Sequence, residues 1–309
     1  MIKLDDYKAY PFLIEKTDLF FKLDPENTLV RAKLRVKRVE QHICNMWLDG
    51  EDLELKTIAI NGKTLNKDAY QLNKNGLRLI NVPANFELEI ETLIHPIHNT
   101  RLEGLYFTEN IFCTQCEANS FRRITFYPDR PDCLSLWSVT IEADKKHAST
   151  LLSNGNPIHS ERDQHDQDGS IINAHWDDPF YKPAYLFALV AGHFSCLNDH
   201  FKTNDGRDIK LGIYCEVEKT NLARFAMSAL KEAMQWDQER FNLTCDLDVY
   251  NIVAIHNFNM GAMENKGLNV FNAKYVLIDH KTATDQELSD VRSVIGHEYF
   301  HNWSLHIDS

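Results

Sequence analysis

The first 190 or so residues carry a period-two alternation of apolar and polar side chains. From Val30 to Val36 apolar residues alternate with Arg and Lys, and from Phe86 to Glu91 they alternate with glutamate. This pattern is typical of strands with one buried and one solvated face. The pair Asn61-Gly62, which tolerates positive φ, predicts a hairpin turn. The continuous apolar run from Tyr185 to Val190 predicts a strand buried on both faces, and we place a domain boundary just after it.

Helical spacing replaces this alternation in the last third of the chain. Apolar residues between Leu222 and Ala233 recur every three or four positions, which predicts an amphipathic helix through about Arg240. The segment from Leu247 to Ile255 has the composition of a strand. Thr284 and Glu287 have the spacing of a capping box, in which each residue satisfies a backbone N–H at a helix start. A second helix is therefore expected to begin there.

Composition and charge exclude several classes of protein. Of the 309 residues 43% are apolar, and only 12 are Gly and 9 Pro, which argues against a disordered or collagen-like chain. The net charge of −12 argues against a protein that binds nucleic-acid phosphates. No window approaches 18 uninterrupted apolar residues, so we expect no membrane span. Seven scattered cysteines and a charged N-terminal segment indicate a cytoplasmic protein with reduced thiols.

The second predicted helix contains the segment His297-Glu298-Tyr299-Phe300-His301. Histidines four residues apart lie on one helix face, so both imidazoles can reach the same Zn²⁺ ion. Glu298 lies beside them and can accept a proton from water. With 14 His in the chain, a chance match is expected in roughly a few per cent of such sequences. Because the capped helix is predicted independently, we assign a zinc site with His297 and His301 as ligands and Glu298 as the catalytic base.

A second motif, Gly261-Ala262-Met263-Glu264-Asn265, follows the predicted strand upstream of this helix. Gly261 permits close approach of another backbone, as a peptide laid along a strand edge requires. Glu264 would then be an acid directed into the same cleft. Taken alone, the segment would be an ordinary turn with a solvated glutamate. Beside the histidine motif, we interpret it as a substrate-binding segment.

Together these two motifs resemble the double signature of the aminopeptidase N family of zinc aminopeptidases, which are gluzincin metallopeptidases. The match is close to the bacterial branch of that family and extends over the chain up to Trp303. It includes several segments of the N-terminal part. These are residues 113–118, 121–122, 127–132, 152–156 and 185–192.

The resemblance implies a function for each matching residue. His297 and His301 match the two zinc histidines, and Glu298 matches the general base. Glu264 and Glu117 match two acids that bind the free α-amino group of a peptide. An internal peptide nitrogen carries no charge and would leave both carboxylates unpaired, which restricts cleavage to the first peptide bond. The other implied substrate contacts are Gln115, Met260, Gly261, Ala262, Met263 and Asn265.

The resemblance also implies a fold and an activity. The fold is α+β, with an N-terminal all-β saddle or sandwich domain at residues 1–192. The first part of a thermolysin-like α/β catalytic domain follows at residues 193–309. The activity is removal of N-terminal residues from peptides, with a broad preference that leans towards alanine and basic residues, and with one zinc ion per chain. The expected partners are peptides with a free N-terminus, without nucleic acid or membrane, and we expect a monomer.

The resemblance ends at Trp303. The family's third zinc ligand, a glutamate, and the tyrosine that stabilises the oxyanion would lie beyond residue 309. If the helix continued, His306 would face away from His301 and Asp308 would lie roughly 10 Å along the axis, so neither could complete the site. We therefore expect a truncated chain that binds zinc weakly and has little or no activity.

Two other functions stay open at this point. A non-catalytic remnant could use Glu117 and Glu264 to hold a peptide N-terminus without cleaving it. An epoxide-hydrolysing relative that also trims peptides normally has glycine at the position of Ala262, so this residue counts against that alternative.

Overall fold

The structure is a computed structural model that describes residues 7–42, 44–158 and 169–304. The chain forms two compact units, each assembled from three segments. The first unit comprises Met1–Tyr106, Gln115–Ala143 and Asp178–Phe187, and the second comprises Phe107–Thr114, Asp144–Asp177 and Ala188–Ser309. The predicted boundary between residues 192 and 193 stays a prediction. His306 and Asp308 lie outside the described residues.

Strands make up most of the regular structure in the described residues. The earlier strands are β1 (Phe12–Leu23), β2 (Thr28–Arg38), β3 (Met46–Asp49), β4 (Glu54–Ile60), β5 (Lys63–Thr64), β6 (Tyr70–Asn73), β7 (Gly76–Leu79), β8 (Asn85–Ile94), β9 (Gly104–Thr108), β10 (Ile111–Gln115) and β11 (Leu134–Asp144). The later strands are β12 (Thr150–Ser153), β13 (Asn156–Pro157), β14 (Ile171–Pro183), β15 (Leu189–Gly192), β16 (Ser195–Lys202), β17 (Asp208–Cys215), β18 (Val249–Ile255), β19 (Ala262–Met263) and β20 (Leu268–Asn272).

Helices are confined to fewer segments of the described chain. The α-helices there are α1 (Arg224–Phe241) and α2 (Asp285–Ser304). Short 3-10 helices lie at Lys67–Ala69, Pro96–His98, Phe121–Arg123, Ala184–Leu186, Thr220–Ala223 and Ala273–Tyr275.

The main sheet of the first unit has the strand order β14-β11-β1-β2-β8-β4-β5, with β14 belonging to this unit from Asp178 onward. The predicted alternation in β2 and β8 is confirmed, since every second side chain is buried. On the other face, opposite charges pair across strands, as in the 2.7 Å contact between Lys33 Nζ and Glu87 Oε1. The predicted hairpin is also confirmed, because Asn61 (φ 51°) and Gly62 (φ 74°) connect β4 to β5.

An aromatic cluster forms part of the buried core of the first unit. The ring of Phe121 lies 5.1 to 5.4 Å from the rings of Tyr127, Trp137 and Phe187, at near-perpendicular angles. Edge-to-face contacts of this kind add to the stabilisation from burial. A fully buried ion pair lies beside the cluster, where Lys182 Nζ is 2.8 Å from Asp178 Oδ2 and 5.0 Å from the centre of the Trp137 ring.

The second unit contains a mixed sheet that carries the glutamate motif, and the helix α2 that carries the histidine motif. Its strand order is β16-β17-β18-β20-β19, in which β18 is parallel to both β17 and β20. The amphipathic helix predicted through Arg240 is confirmed as α1, which is the crossover between parallel strands β17 and β18. The predicted strand from Leu247 is confirmed as β18, with all seven residues buried. This is the α/β part of the predicted α+β fold.

The prediction of one strand from Tyr185 to Val190 is wrong. Residues Ala184–Leu186 form a 3-10 helix, and the strand begins only at Leu189. A distant residue stabilises the turn, since Asn154 Oδ1 accepts the backbone N–H of Ala188 at 2.7 Å. All residues from Leu186 to Gly192 are buried. A continuous apolar run therefore predicts burial of the segment but does not establish that its backbone is extended.

Candidate metal centre and substrate site

Helix α2 begins at the predicted capping box. The backbone N–H of Thr284 donates to Glu287 Oε2 at 2.8 Å, and the N–H of Glu287 donates to Thr284 Oγ1 at 3.3 Å. The backbone N–H and the hydroxyl of Thr284, which both donate to Glu287 Oε2, hold the pKa of the Glu287 carboxyl below its ordinary value. The reciprocal bonds satisfy two backbone groups that the first turn of a helix leaves free, so the predicted start of α2 is confirmed.

Several side-chain contacts connect α2 to α1 around the histidines. Arg292 Nε donates to Glu232 Oε2 at 3.1 Å, and the Arg292 guanidinium lies 5.1 Å from the ring of Phe225. Near the other end of α2, Trp303 Nε1 donates to Asp237 Oδ2 at 2.9 Å. Phe300, between the two histidines, contacts Phe241 of α1 with ring centres 5.7 Å apart, so α1 also supports the histidine turn itself.

His297 and His301 meet on one face of α2. Their Nε2 atoms are 3.0 Å apart, and their ring centres are 4.5 Å apart with the planes nearly perpendicular. Two nitrogens bound to one tetrahedral Zn²⁺ at about 2.0–2.1 Å lie about 3.3 Å from each other. On the other side of the His301 ring, Nδ1 is 3.2 Å from Ser304 Oγ. The spacing of the two imidazoles therefore fits a shared zinc ion.

Two buried carboxylates lie beside this pair. One side-chain oxygen of Glu264, one of Glu298 and one ring nitrogen of His301 are all within 4.8 Å of each other. Glu264 is 9% exposed and Glu298 is 7% exposed. The pKa of the Glu264 carboxyl lies above its ordinary value because the raising effect of burial exceeds the lowering effects of a backbone hydrogen bond and of nearby His297. Imidazole nitrogens are ligands that zinc prefers, and buried carboxylates beside them favour a cation, so the residues present fit the ion as part of its ligand set.

Glu264 is placed by a short hairpin at the edge of the sheet. Strand β19 pairs with β20 in antiparallel register, with Ala262 opposite Phe271 and Met263 opposite Val270. The Gly261 carbonyl accepts the backbone N–H of Asn272 at 2.9 Å, which extends this pairing by one residue. Met260 is 42% exposed, whereas Met263 and Asn265 are buried. The structure thus brings Glu264 next to a helix that begins twenty-one residues later along the chain.

Gln115 and Glu117 belong to the first compact unit. Gln115 ends β10 and is buried, while Glu117 is exposed and precedes a cis peptide bond to Ala118. Their participation in substrate binding stays a prediction, as do the assignments of Met260, Gly261 and Ala262 to substrate contacts.

Several residues around the site escaped the sequence reasoning. Asn269 Nδ2 donates to the carbonyl of Asn265 at 3.0 Å, and its Oδ1 accepts the hydroxyl of buried Tyr250. Lys266, directly after the glutamate motif, is buried and paired with Asp246. A lysine in a polar turn gives no sign of burial in the sequence, because lysine is seldom buried in proteins.

Comparison with known proteins identifies the family. Residues 11–186 match the model of the peptidase M1 N-terminal domain, and residues 225–305 match the model of the peptidase family M1 domain. Aminopeptidase N of Caulobacter vibrioides is 46% identical over 303 residues, which are 98% of this chain and 34% of that protein. Aminopeptidase N of Escherichia coli K12 is also 46% identical over 303 residues, which are 97% of this chain and 34% of that protein.

A solved structure agrees with these matches. The crystal structure of Legionella pneumophila aminopeptidase A in complex with aspartic acid superimposes with a TM-score of 0.92 at 34% identity. The match covers 98% of this chain and 36% of that one, so the chain spans about a third of the length of its relatives. Within the described residues, neither α-helix has the length and apolar character needed to cross a membrane. The chain belongs to peptidase family M1, with the family's β-rich N-terminal domain followed by the first part of the catalytic domain.

Proposed function

We propose that this chain forms the zinc-binding and amine-binding part of an aminopeptidase that removes N-terminal residues from peptides. The observation that carries the proposal is the meeting of Glu264 with Glu298 and His301 within 4.8 Å, beside the 3.0 Å pair of imidazoles. Family M1 is in general zinc-dependent, and the relatives are aminopeptidases.

His297 and His301 would hold the zinc ion, which when bound supplies a Lewis acid that polarises a carbonyl group. Glu298 accepts the proton of the attacking water, since one oxygen of its buried carboxylate lies within 4.8 Å of a ring nitrogen of His301. Glu264 accepts hydrogen bonds from the substrate's α-ammonium group, assisted by Glu117. Because Glu264 is nearly buried, an uncharged amide nitrogen in that position would leave the carboxylate unpaired, which selects free N-termini.

The remaining assignments follow from the same proposal. Peptides with a free N-terminus are the substrates, with Gln115, Met260, Gly261, Ala262, Met263 and Asn265 as further contacts. We also propose a cytoplasmic monomer without nucleic-acid partners.

A polypeptide of these 309 residues, expressed alone, is proposed to bind zinc weakly and to turn over little or no substrate. The reason is chemical, since two imidazoles supply only part of the three-ligand set that a catalytic zinc site needs. The test measures hydrolysis of an alanyl chromogenic substrate with added zinc, with and without a chelator. Glu298→Gln is the matched control, because it keeps the size of the side chain and removes the base. Robust activity that both the chelator and Glu298→Gln abolish would confirm the aminopeptidase and refute the inactivity of this polypeptide.

A second candidate is a non-catalytic module that binds peptide N-termini. The observation that favours it is the hairpin of Glu264, whose hydrogen bonds come from the protein itself and need no metal. Calorimetry with a free peptide and its N-acetylated form separates the two candidates. Binding without turnover, abolished by acetylation, supports the module, and chelator-sensitive turnover supports the enzyme.

A further inference from the structure

An ion pair between buried Lys266 and half-buried Asp246 lies directly after the amine-binding segment, residues 261–265. Lys266 is 2% exposed, and its Nζ donates to Asp246 Oδ2 at 2.7 Å. The other carboxylate oxygen of Asp246, Oδ1, is buried and has no hydrogen-bond partner within the described chain. Removal of the Asp246 charge would leave the buried ammonium of Lys266 less well compensated, so the pair helps to hold Lys266 in one place.

Lys266 occupies the second position of the turn that ends the Glu264 hairpin. The backbone N–H of Leu268 donates to the carbonyl of Asn265 at 3.0 Å, and Gly267 has φ +76°, as the third position of a type II turn requires. This turn joins Glu264 to β20. A displacement of the turn therefore changes the direction of the Glu264 backbone.

Other elements hold the same turn through uncharged contacts. Asn154 Nδ2 donates to the carbonyl of Lys266 at 3.0 Å, and Asn269 Nδ2 donates to that of Asn265 at 3.0 Å. The ion pair differs from these bonds in its strength, because hydrogen bonds between charged groups are roughly twice as strong as neutral ones. It also reaches the segment before β18, since Asp246 precedes that strand by three residues.

We propose that Lys266, held by Asp246, is a positioning residue that sets Glu264 for recognition of the peptide α-amino group. The inference rests on the proposed function of Glu264. Hydrogen bonds weaken steeply when donor and acceptor are misaligned. Loss of the ion pair therefore weakens the ammonium contact more than the contacts along the rest of the peptide.

The test compares affinities for alanyl-alanine amide and for its N-acetylated form, measured by calorimetry on the 309-residue chain with added zinc. We expect K266M to lower the preference for the free amine by about tenfold, the size of one charge-assisted hydrogen bond. K266R restores part of the preference because it keeps the charge. Zinc affinity, measured by titration without peptide, stays unchanged in K266M, since both histidines are on α2.

Lys182→Met is the matched control, because it removes an equally buried lysine from its pair with Asp178 in the first unit. This variant loses stability but keeps the preference for the free amine. If K266M does not fold by circular dichroism, D246N replaces it, since asparagine keeps the size of the side chain and removes the charge that holds Lys266.

An unchanged preference in folded K266M or D246N would overturn the inference and leave the proposed function standing. The same holds if both peptides lose affinity equally. A wild-type chain that binds both peptides equally well would overturn the proposed function, and the inference with it.

Discussion

Replacement of Gly296 by alanine should make the chain more stable. Gly296 lies in the interior of α2, one residue before the first histidine, and a Cβ atom added there would meet no heavy atom within 4 Å. Glycine in a helix interior costs about 0.8–1.0 kcal/mol relative to alanine, because its backbone loses more freedom on folding. With open space around the added methyl group, no clash offsets this gain. The expected increase in the free energy of unfolding is about 1 kcal/mol.

Urea unfolding followed by far-ultraviolet circular dichroism is a suitable assay. Both described α-helices belong to the second unit, so the helical signal reports mainly on that unit. Gly296→Ala should move the midpoint to higher urea with an unchanged slope, because the surface exposed on unfolding is the same.

Gly267→Ala is the matched comparison in the same unit and should have the opposite effect. Its φ of +76° costs an alanine roughly 1–2 kcal/mol, and the added Cβ would lie 2.7 Å from Leu247 Cδ1. A lower midpoint for Gly296→Ala would refute the reasoning, because it would mean that the space beside α2 is filled. An unchanged midpoint for Gly267→Ala would contradict the turn conformation.

Three further predictions concern caps, charge and packing. Thr284→Ala removes the two hydrogen bonds of the Thr284 hydroxyl with Glu287 and should lower the free energy of unfolding by about 1 kcal/mol in urea titrations, and an unchanged value would contradict the cap. Hydrogen bonding to Arg130 holds the pKa of the Asp132 carboxyl below its ordinary value. Asp132 therefore contributes to the stability of the folded chain above its pKa in the unfolded state, and this contribution is lost as the pH falls through its pKa in the folded state. Stability profiles should therefore fall less steeply below about pH 4 in Asp132→Asn than in the wild type, and parallel profiles would count against the ion pair. Phe121→Ala removes the ring that contacts three others in the first unit and should cost about 3–5 kcal/mol, whereas a loss below about 1 kcal/mol would show that the cluster tolerates the cavity.

Local features of the site could be predicted from the sequence because they depend on short spacings. The cap at Thr284 and the helix that brings His297 and His301 together follow from residues three and four positions apart. The alternation in β2 predicted which face is buried for the same reason. Each of these features is set by the geometry of a single element.

The features that the sequence did not predict depend on contacts between distant parts of the chain. The approach of Glu264 to Glu298 joins an edge hairpin to a helix, and the sequence alone indicated it only through the family resemblance. The burial of Lys266 depends on Asp246, twenty residues earlier. The error at Tyr185 has the same origin, because the side chain of Asn154 stabilises a turn where the apolar run suggests a strand.

The contacts between α1 and α2 also have a mechanical consequence. Arg292 and Trp303 are eleven positions apart, about 16 Å along α2, and the turn with the histidines lies between them, where Phe300 also contacts Phe241 of α1. His301 is held further by Ser304. The two imidazoles therefore form a chelating pair whose nitrogen–nitrogen distance is set before metal binding. Folding of the helix pair, and not binding of the metal, brings them together. Metal affinity and the stability of the helix pair should thus rise and fall together, as linked equilibria do.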